Sequence, residues 1–85
     1  MTIMLKLKIV SPERIEYDGE VESVLVPGTQ GQFEILNDHA PIISTLDKGV
    51  VEYGLPKGEK VSLEILGGFV EVQHNAVSLC VEVNQ

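Results

Sequence analysis

An 85-residue chain with 44% hydrophobic content can bury one small core, which excludes a disordered tail and a multidomain enzyme. Its formal charge of −7, from thirteen acidic and six scattered basic residues, argues against nucleic-acid binding and direct attachment to anionic lipid. Cys80 is the only cysteine, so an internal disulfide and a thiolate metal cluster are excluded and a reducing compartment is expected.

The first residues, Met1 to Lys8, alternate apolar and charged side chains. They lack the continuous apolar stretch of a signal peptide, and no later run reaches membrane-spanning length, which predicts a soluble, cytoplasmic chain. Leu5, Leu7 and Ile9 alternate with Lys6 and Lys8 as a half-buried strand does, and Ser11-Pro12 ends it. Arg14 to Tyr17 reads as a short partner strand closed by Asp18-Gly19. Val21 to Val26 follows and stops at Pro27-Gly28. Gln32 to Leu36 is a further extended piece, bounded by Gly31 and by Asn37-Asp38.

After Pro41, the β-branched run from Ile42 to Leu46 predicts a strand, and Asp47-Lys48-Gly49 turns it into Val50 to Tyr53. Leu55-Pro56-Lys57-Gly58 has proline and glycine where a type I turn needs them, predicting a hairpin tip. Val61, Leu63 and Ile65 alternate with Ser62 and Glu64. Gly67-Gly68 inside an apolar stretch predicts a bulge or a close backbone approach. Val70 and Val72 continue the sheet, His74-Asn75 turns it, and Val77, Leu79, Val81 and Val83 complete the pattern. No helical period emerges. About ten short, mostly antiparallel strands are expected, in a β-sandwich or barrel formed as a single domain over residues 1–85.

The residue types that carry catalysis do not fall into a catalytic pattern. Gly28-Thr29-Gln30-Gly31 lacks the lysine with which a P-loop holds phosphate, and reads as a turn. His39 and His74 lie at predicted turns without the convergent partners a metal site needs. Cys80, Ser44 and Ser62 sit in strands, away from any strained elbow that would expose a nucleophile; Cys80 reads as a small core or near-core side chain. Glu20 with Glu22, and Glu64 with Glu71, read as a solvated sheet face. No cofactor and no metal is expected, and the chain is expected not to be an enzyme.

One segment stands out, from Val24 through Phe33 to Pro41: a strand, a glycine turn, a short strand with Phe33 able to point outward, and a polar loop. Loops on a rigid sandwich commonly carry recognition, so this end is a candidate docking edge. The residues Val26-x-Gly28-x-x-Gly31, Ile35-Leu36, His39-Ala40-Pro41 and Leu46-x-x-Gly49 resemble the N-terminal domain of the epsilon subunit of F-type (rotary) ATP synthases. So do Gly67-Gly68-Phe69-Val70-Glu71-Val72, Asn75-x-Val77 and the opening Leu7-Lys8-Ile9-Val10-Ser11-Pro12-Glu13. The pieces keep that family's order along nearly the whole chain.

The resemblance implies a flattened β-sandwich of ten strands in the rotor's central stalk, packed on the gamma subunit and resting on the ring of c subunits. It implies a peripheral place at the cytoplasmic face of the bacterial plasma membrane, reached through the complex. By the same resemblance Gln32 and His39 face the c-ring loops, with Phe33 between them and Ser11 toward the same end; as a large aromatic, Phe33 is the expected anchor of such a contact. Glu34 departs from the family pattern, where a small residue, often glycine, is expected, and this predicts a local difference in the backbone. Family members continue into a C-terminal helical hairpin; the sequence ends at Gln85 without one, so the regulation and ATP binding of that hairpin are not carried over. The competing expectations are a free-standing adaptor for a peptide or carbohydrate, and a small hydrolase. Four aromatic residues and no tryptophan weigh against a sugar binder.

Overall fold

The computed structural model describes residues 4–84; the reading of residues 1–3 and of Gln85 falls outside them. Alternation of apolar and polar residues yields nine strands there: β1 (Leu5–Val10), β2 (Ile15–Val21), β3 (Ser23–Gly28), β4 (Gly31–Ile35), β5 (Ile42–Leu46), β6 (Gly49–Gly54), β7 (Lys60–Ile65), β8 (Gly67–Gln73) and β9 (Ala76–Glu82). They join in the order β2-β1-β9-β8-β5-β3-β6-β7, with β4 paired to β3 beside that path. All pairs are antiparallel except β1 with β9, where Lys6 to Val10 run alongside Ala76 to Cys80.

The path folds over on itself as a two-layered body. Its halves meet at a narrow seam, the register pair Gly28↔Leu46. Tyr17 of β2 and Tyr53 of β6, far apart in strand order, have ring centroids 4.7 Å apart. That contact requires the first half of the sheet to lie over the second. The Cα envelope of 38 × 24 × 17 Å has room for two layers at their usual spacing of about 10 Å and no third. Between them lie Leu5, Leu7, Ile9, Val24, Val26, Ile35, Val51, Val70, Val72 and Leu79, each essentially sealed from solvent. Each such side chain contributes roughly 1.5–3 kcal/mol on burial.

Two boundaries differ from the sequence-based expectation. Asp18-Gly19 does not close β2; it lies inside the strand, opposite Lys8 and Leu7. The Tyr17 ring folds across the glycine: a Cβ at Gly19 would stand 2.9 Å from the Tyr17 hydroxyl oxygen. That hydroxyl donates to the Glu20 carbonyl at 3.0 Å, which fixes the ring in place. The break instead falls at Glu22, so Val21 ends β2 and Ser23 opens β3.

The glycine pair behaves as the sequence suggests. Gly68 has φ +153°, and a Cβ there would fall on the Cys80 carbonyl oxygen and lie 2.8 Å from Val81 Cα. The tip after β6 forms as expected, with the Gly58 amide donating to the Leu55 carbonyl at 2.9 Å and Gly58 at φ +92°. His74 and Asn75 adopt φ of 52° and 62°, the left-handed pair of a tight type I′ turn. Glu34 sits in a regular strand, opposite Leu25.

Candidate docking site

The hairpin β3–β4 is built around a two-residue turn, Thr29-Gln30, between the paired Gly28 and Gly31. Gly31 at φ +128° makes the return possible without the steric cost another residue would meet. Gln32 follows directly, exposed and in register with Pro27. Phe33 does not stand outward as an isolated anchor. It is half-buried and packs against the core, its ring lying across Gly28, where a Cβ would come within 2.8 Å of Phe33 Cε1.

Phe33 and His39 are brought together, with ring centroids 6.3 Å apart. His39 is half-buried, and its loop is held by its own backbone: its amide donates to the Leu36 carbonyl at 3.1 Å. Nδ1 donates to the Ala40 carbonyl at 2.8 Å, since a carbonyl can only accept. Beside them Leu36 is half exposed. Phe33 and His39 together offer an imidazole edge over an apolar floor, while Gln32, one residue earlier on β4, presents its amide on the opposite face of the strand.

Ser11 makes its polar contacts in the β1–β2 loop. Its hydroxyl reaches Glu16 Oε2 at 2.9 Å, and the same oxygen pairs with Arg14 Nε at 3.4 Å. Ser11 lines an open cleft with Val10, Pro12, Phe69, Cys80 and Glu82. Cys80, expected in or near the core, is half-buried in that cleft on the outer side of β9.

Sequence reasoning missed Phe69, an aromatic side chain 47% exposed on the outer face of β8. The signal was present: Phe69 shares the phase of Glu71, whereas Val70 and Val72 share the buried phase. Among the described residues no group of three or more His, Cys, Asp or Glu side chains is placed to hold a metal ion. Among the described residues, Tyr53 is the titratable group with a marked perturbation. Burial pushes its hydroxyl above its ordinary value, aided by the nearby Tyr17 and Glu16.

Fold and surface together define an all-β sandwich whose distinctive side chains stand on its rim loops and outer sheet face. The sequence profile of "ATP synthase, Delta/Epsilon chain, beta-sandwich domain" matches residues 4–84, and the chain belongs to that family. An ATP synthase epsilon chain of Leptospira interrogans is 49% identical over 76 residues, covering 88% of this chain and 58% of the relative. The chain thus spans little more than half of that relative's length. An epsilon chain of Chlorobium limicola is 42% identical, with 91% of this chain and 88% of the relative covered. A chain in the cryo-EM structure of the Euglena gracilis mitochondrial ATP synthase superposes with a TM-score of 0.89 at 19% identity, covering 95% of this chain and 52% of that one. At that identity the superposition speaks for the fold.

Proposed function

We propose that the chain is a non-catalytic part of the central stalk, or rotor, of an F-type ATP synthase. It docks the gamma subunit and the c-ring, and so couples ion translocation to ATP synthesis. The family match over residues 4–84 carries this reading. In the assembly the chain is peripheral, held at the cytoplasmic face of the bacterial plasma membrane through its partners.

Physical properties support the role. A part that passes torque between two neighbours must not deform, and a close-packed interior of branched aliphatic side chains has low compressibility. His39 presents a hydrogen-bonding group beside Phe33, and Gln32 an exposed amide next to the β3–β4 turn, which suits both to the polar loops of a c-ring. Ser11 lies on the β1–β2 loop, where Glu16 and Arg14 brace it.

Deleting the chain tests the proposal. Soluble ATP hydrolysis by the remaining enzyme is expected to persist, while ATP-driven ion pumping by the membranes is lost. Normal coupling in membranes without the chain overturns it.

A further inference from the structure

The second half-sheet ends in an open edge. β7 pairs with β6 on one side, and among the described residues no strand pairs with it on the other. Hydrogen bonds at the end of the ladder fix which backbone groups face that edge. The Gly54 carbonyl accepts the Glu22 amide at 2.7 Å, so Gly54 turns its peptide groups toward β3 and away from Lys60, its register partner on β7. The Leu55 amide donates to the Glu59 carbonyl at 2.7 Å, which puts Glu59 in the opposite phase. Bonded and non-bonded pairs alternate along an antiparallel ladder. Val61, Leu63 and Ile65 therefore bond to β6, and Lys60, Ser62 and Glu64 aim their N–H and C=O groups at the open edge. The side chains of those three are exposed on the outer face, while Val61 and Leu63 are half-buried on the inner one.

An open edge invites pairing, and a lysine on it usually discourages strange strands. The spacing in β7 cancels that protection for one sequence, its own. When two copies of β7 meet antiparallel with Ser62 opposite Ser62, Lys60 of each lies opposite Glu64 of the other. Outward residues then oppose outward residues, and Val61 meets Leu63 on the inner face. The residues with free backbone groups also stand directly opposite one another, as hydrogen-bonded pairs require. A slip of one residue breaks both conditions, and a slip of two separates the charges. Among the described residues neither Lys60 nor Glu64 has an ion pair within its own chain. β2, at the other end of the strand path, has no such match: Glu16, Asp18 and Glu20 alternate along it and oppose carboxylate to carboxylate.

We propose that β7 is a self-recognition edge, through which two free chains form a two-fold dimer with one sheet running across both. The net charge of −7 opposes any self-association. Yet the outer-face carboxylates nearest the axis, Glu52 of each copy, lie opposite Ser62 and stand about 14 Å apart across three strand spacings, beyond the screening length of about 8 Å at physiological salt. A single strand pair is a small interface, so the dimer is weak and reversible. β4, which carries Gln32 and Phe33, lies beyond β6 and β3 from this edge and stays uncovered. The pairing is a property of the free chain and is independent of the docking role above.

Sedimentation equilibrium of the free chain, in a series reaching about 1 mM at physiological salt, measures the association. A monomer–dimer equilibrium is expected, with amide exchange at Lys60, Ser62 and Glu64 slowed at the concentrated end. Glu64→Lys is expected to weaken the dimer about tenfold or more, although it lowers the net negative charge, because like charges then face each other. Combining it with Lys60→Glu restores both the pairing and the net charge, and is expected to recover the parent's affinity. Ser62→Pro removes the central donor at a place where an edge strand tolerates proline, so it is expected to abolish the dimer and keep the parent's urea midpoint. A chain that stays monomeric throughout the series overturns the inference, and so does a dimer that Ser62→Pro leaves intact. Failure of the double exchange to recover what Glu64→Lys lost overturns the register, and the proposal with it. Each of these results leaves the proposed function standing.

Discussion

The side-chain carbonyl of Asn75 accepts the backbone N–H of Asp38 at 2.7 Å, joining the β8–β9 turn to the loop that carries His39 across 37 residues of sequence. The same residue's backbone carbonyl accepts the Lys6 amide at 2.8 Å, so the turn also anchors β1. Both Asp38 and Asn75 have positive φ, at 65° and 62°, a conformation that asparagine and aspartate tolerate better than most residues. The shape of the candidate docking loop is therefore set partly by a residue distant in the chain.

Replacing that residue separates its two roles. Asn75→Gly keeps the positive φ and removes the acceptor, so it is expected to lower stability by about 1 kcal/mol. Amide exchange at Asp38 should speed up, while amides in the middle of β8 stay as protected as before. Asn75→Ala adds backbone strain and should lose about 1 kcal/mol more. Urea unfolding and amide exchange measured by NMR check both.

Gly68 is the most sterically demanding position. A Cβ there meets the Cys80 carbonyl, and the backbone is in a region that L-residues rarely adopt. Gly68→Ala is expected to force β8 and β9 apart and to destabilise by about 3 kcal/mol, from overpacking and strain together. Denaturant midpoints compare it with the parent. A loss below about 0.5 kcal/mol, the range of ordinary surface changes, contradicts the close approach.

The fold was legible wherever period two was unbroken. Leu5 to Ile9 and Val77 to Val81 bury the residues that alternation selects, and in Val61 to Ile65 the selected side chains are half-buried at Val61 and Leu63 and buried at Ile65. Turn chemistry placed Leu55 to Gly58 and His74-Asn75 correctly for the same local reason. Asp18-Gly19 is misleading because a glycine after aspartate looks like a turn; the segment is held in a strand by a tertiary fact, its pairing with Lys8 and Leu7 of β1. The candidate site was partly legible. Gln32, Phe33 and His39 were picked out by resemblance, but the burial of Phe33 depends on Gly28 across the ladder. Phe69 is outward by its alternation phase, a signal masked by the two glycines beside it, which mark the segment for its backbone. Neither the Asp38–Asn75 tie nor the open edge of β7 is written in any local window, since both depend on how distant segments meet.

Inside and outside can be distinguished by paired truncations. Leu7, 1% exposed, sits in the core, so Leu7→Ala is expected to destabilise by about 2–5 kcal/mol. Ile43, 74% exposed, should tolerate alanine within about 0.5 kcal/mol in the isolated chain. Thermal or urea unfolding of the two variants checks the layering.

Alkaline titration probes the tyrosine pair. The Tyr53 hydroxyl is raised above its ordinary value by burial, with Tyr17 and Glu16 adding to the effect. The unfolded chain thus gives up this proton at lower pH than the folded one does. The stabilisation is complete below about pH 10, the unfolded value, and is lost as pH climbs from there through the folded value. Tyr53→Phe should flatten that decline while leaving stability at lower pH less changed. Unfolding free energies measured from pH 8 to 11 give the comparison; an identical slope in parent and variant contradicts the assignment.

The docking role turns on where the rim of the sandwich sits in the enzyme. Gln32→Cys and His39→Cys, each placed on a Cys80→Ser background, can be crosslinked in membranes to c subunits bearing a cysteine in the polar loop. A covalent product between the chain and a c subunit from at least one position is the expected result. If neither position yields a product while the chain remains bound to the enzyme, this end of the sandwich does not rest on the ring.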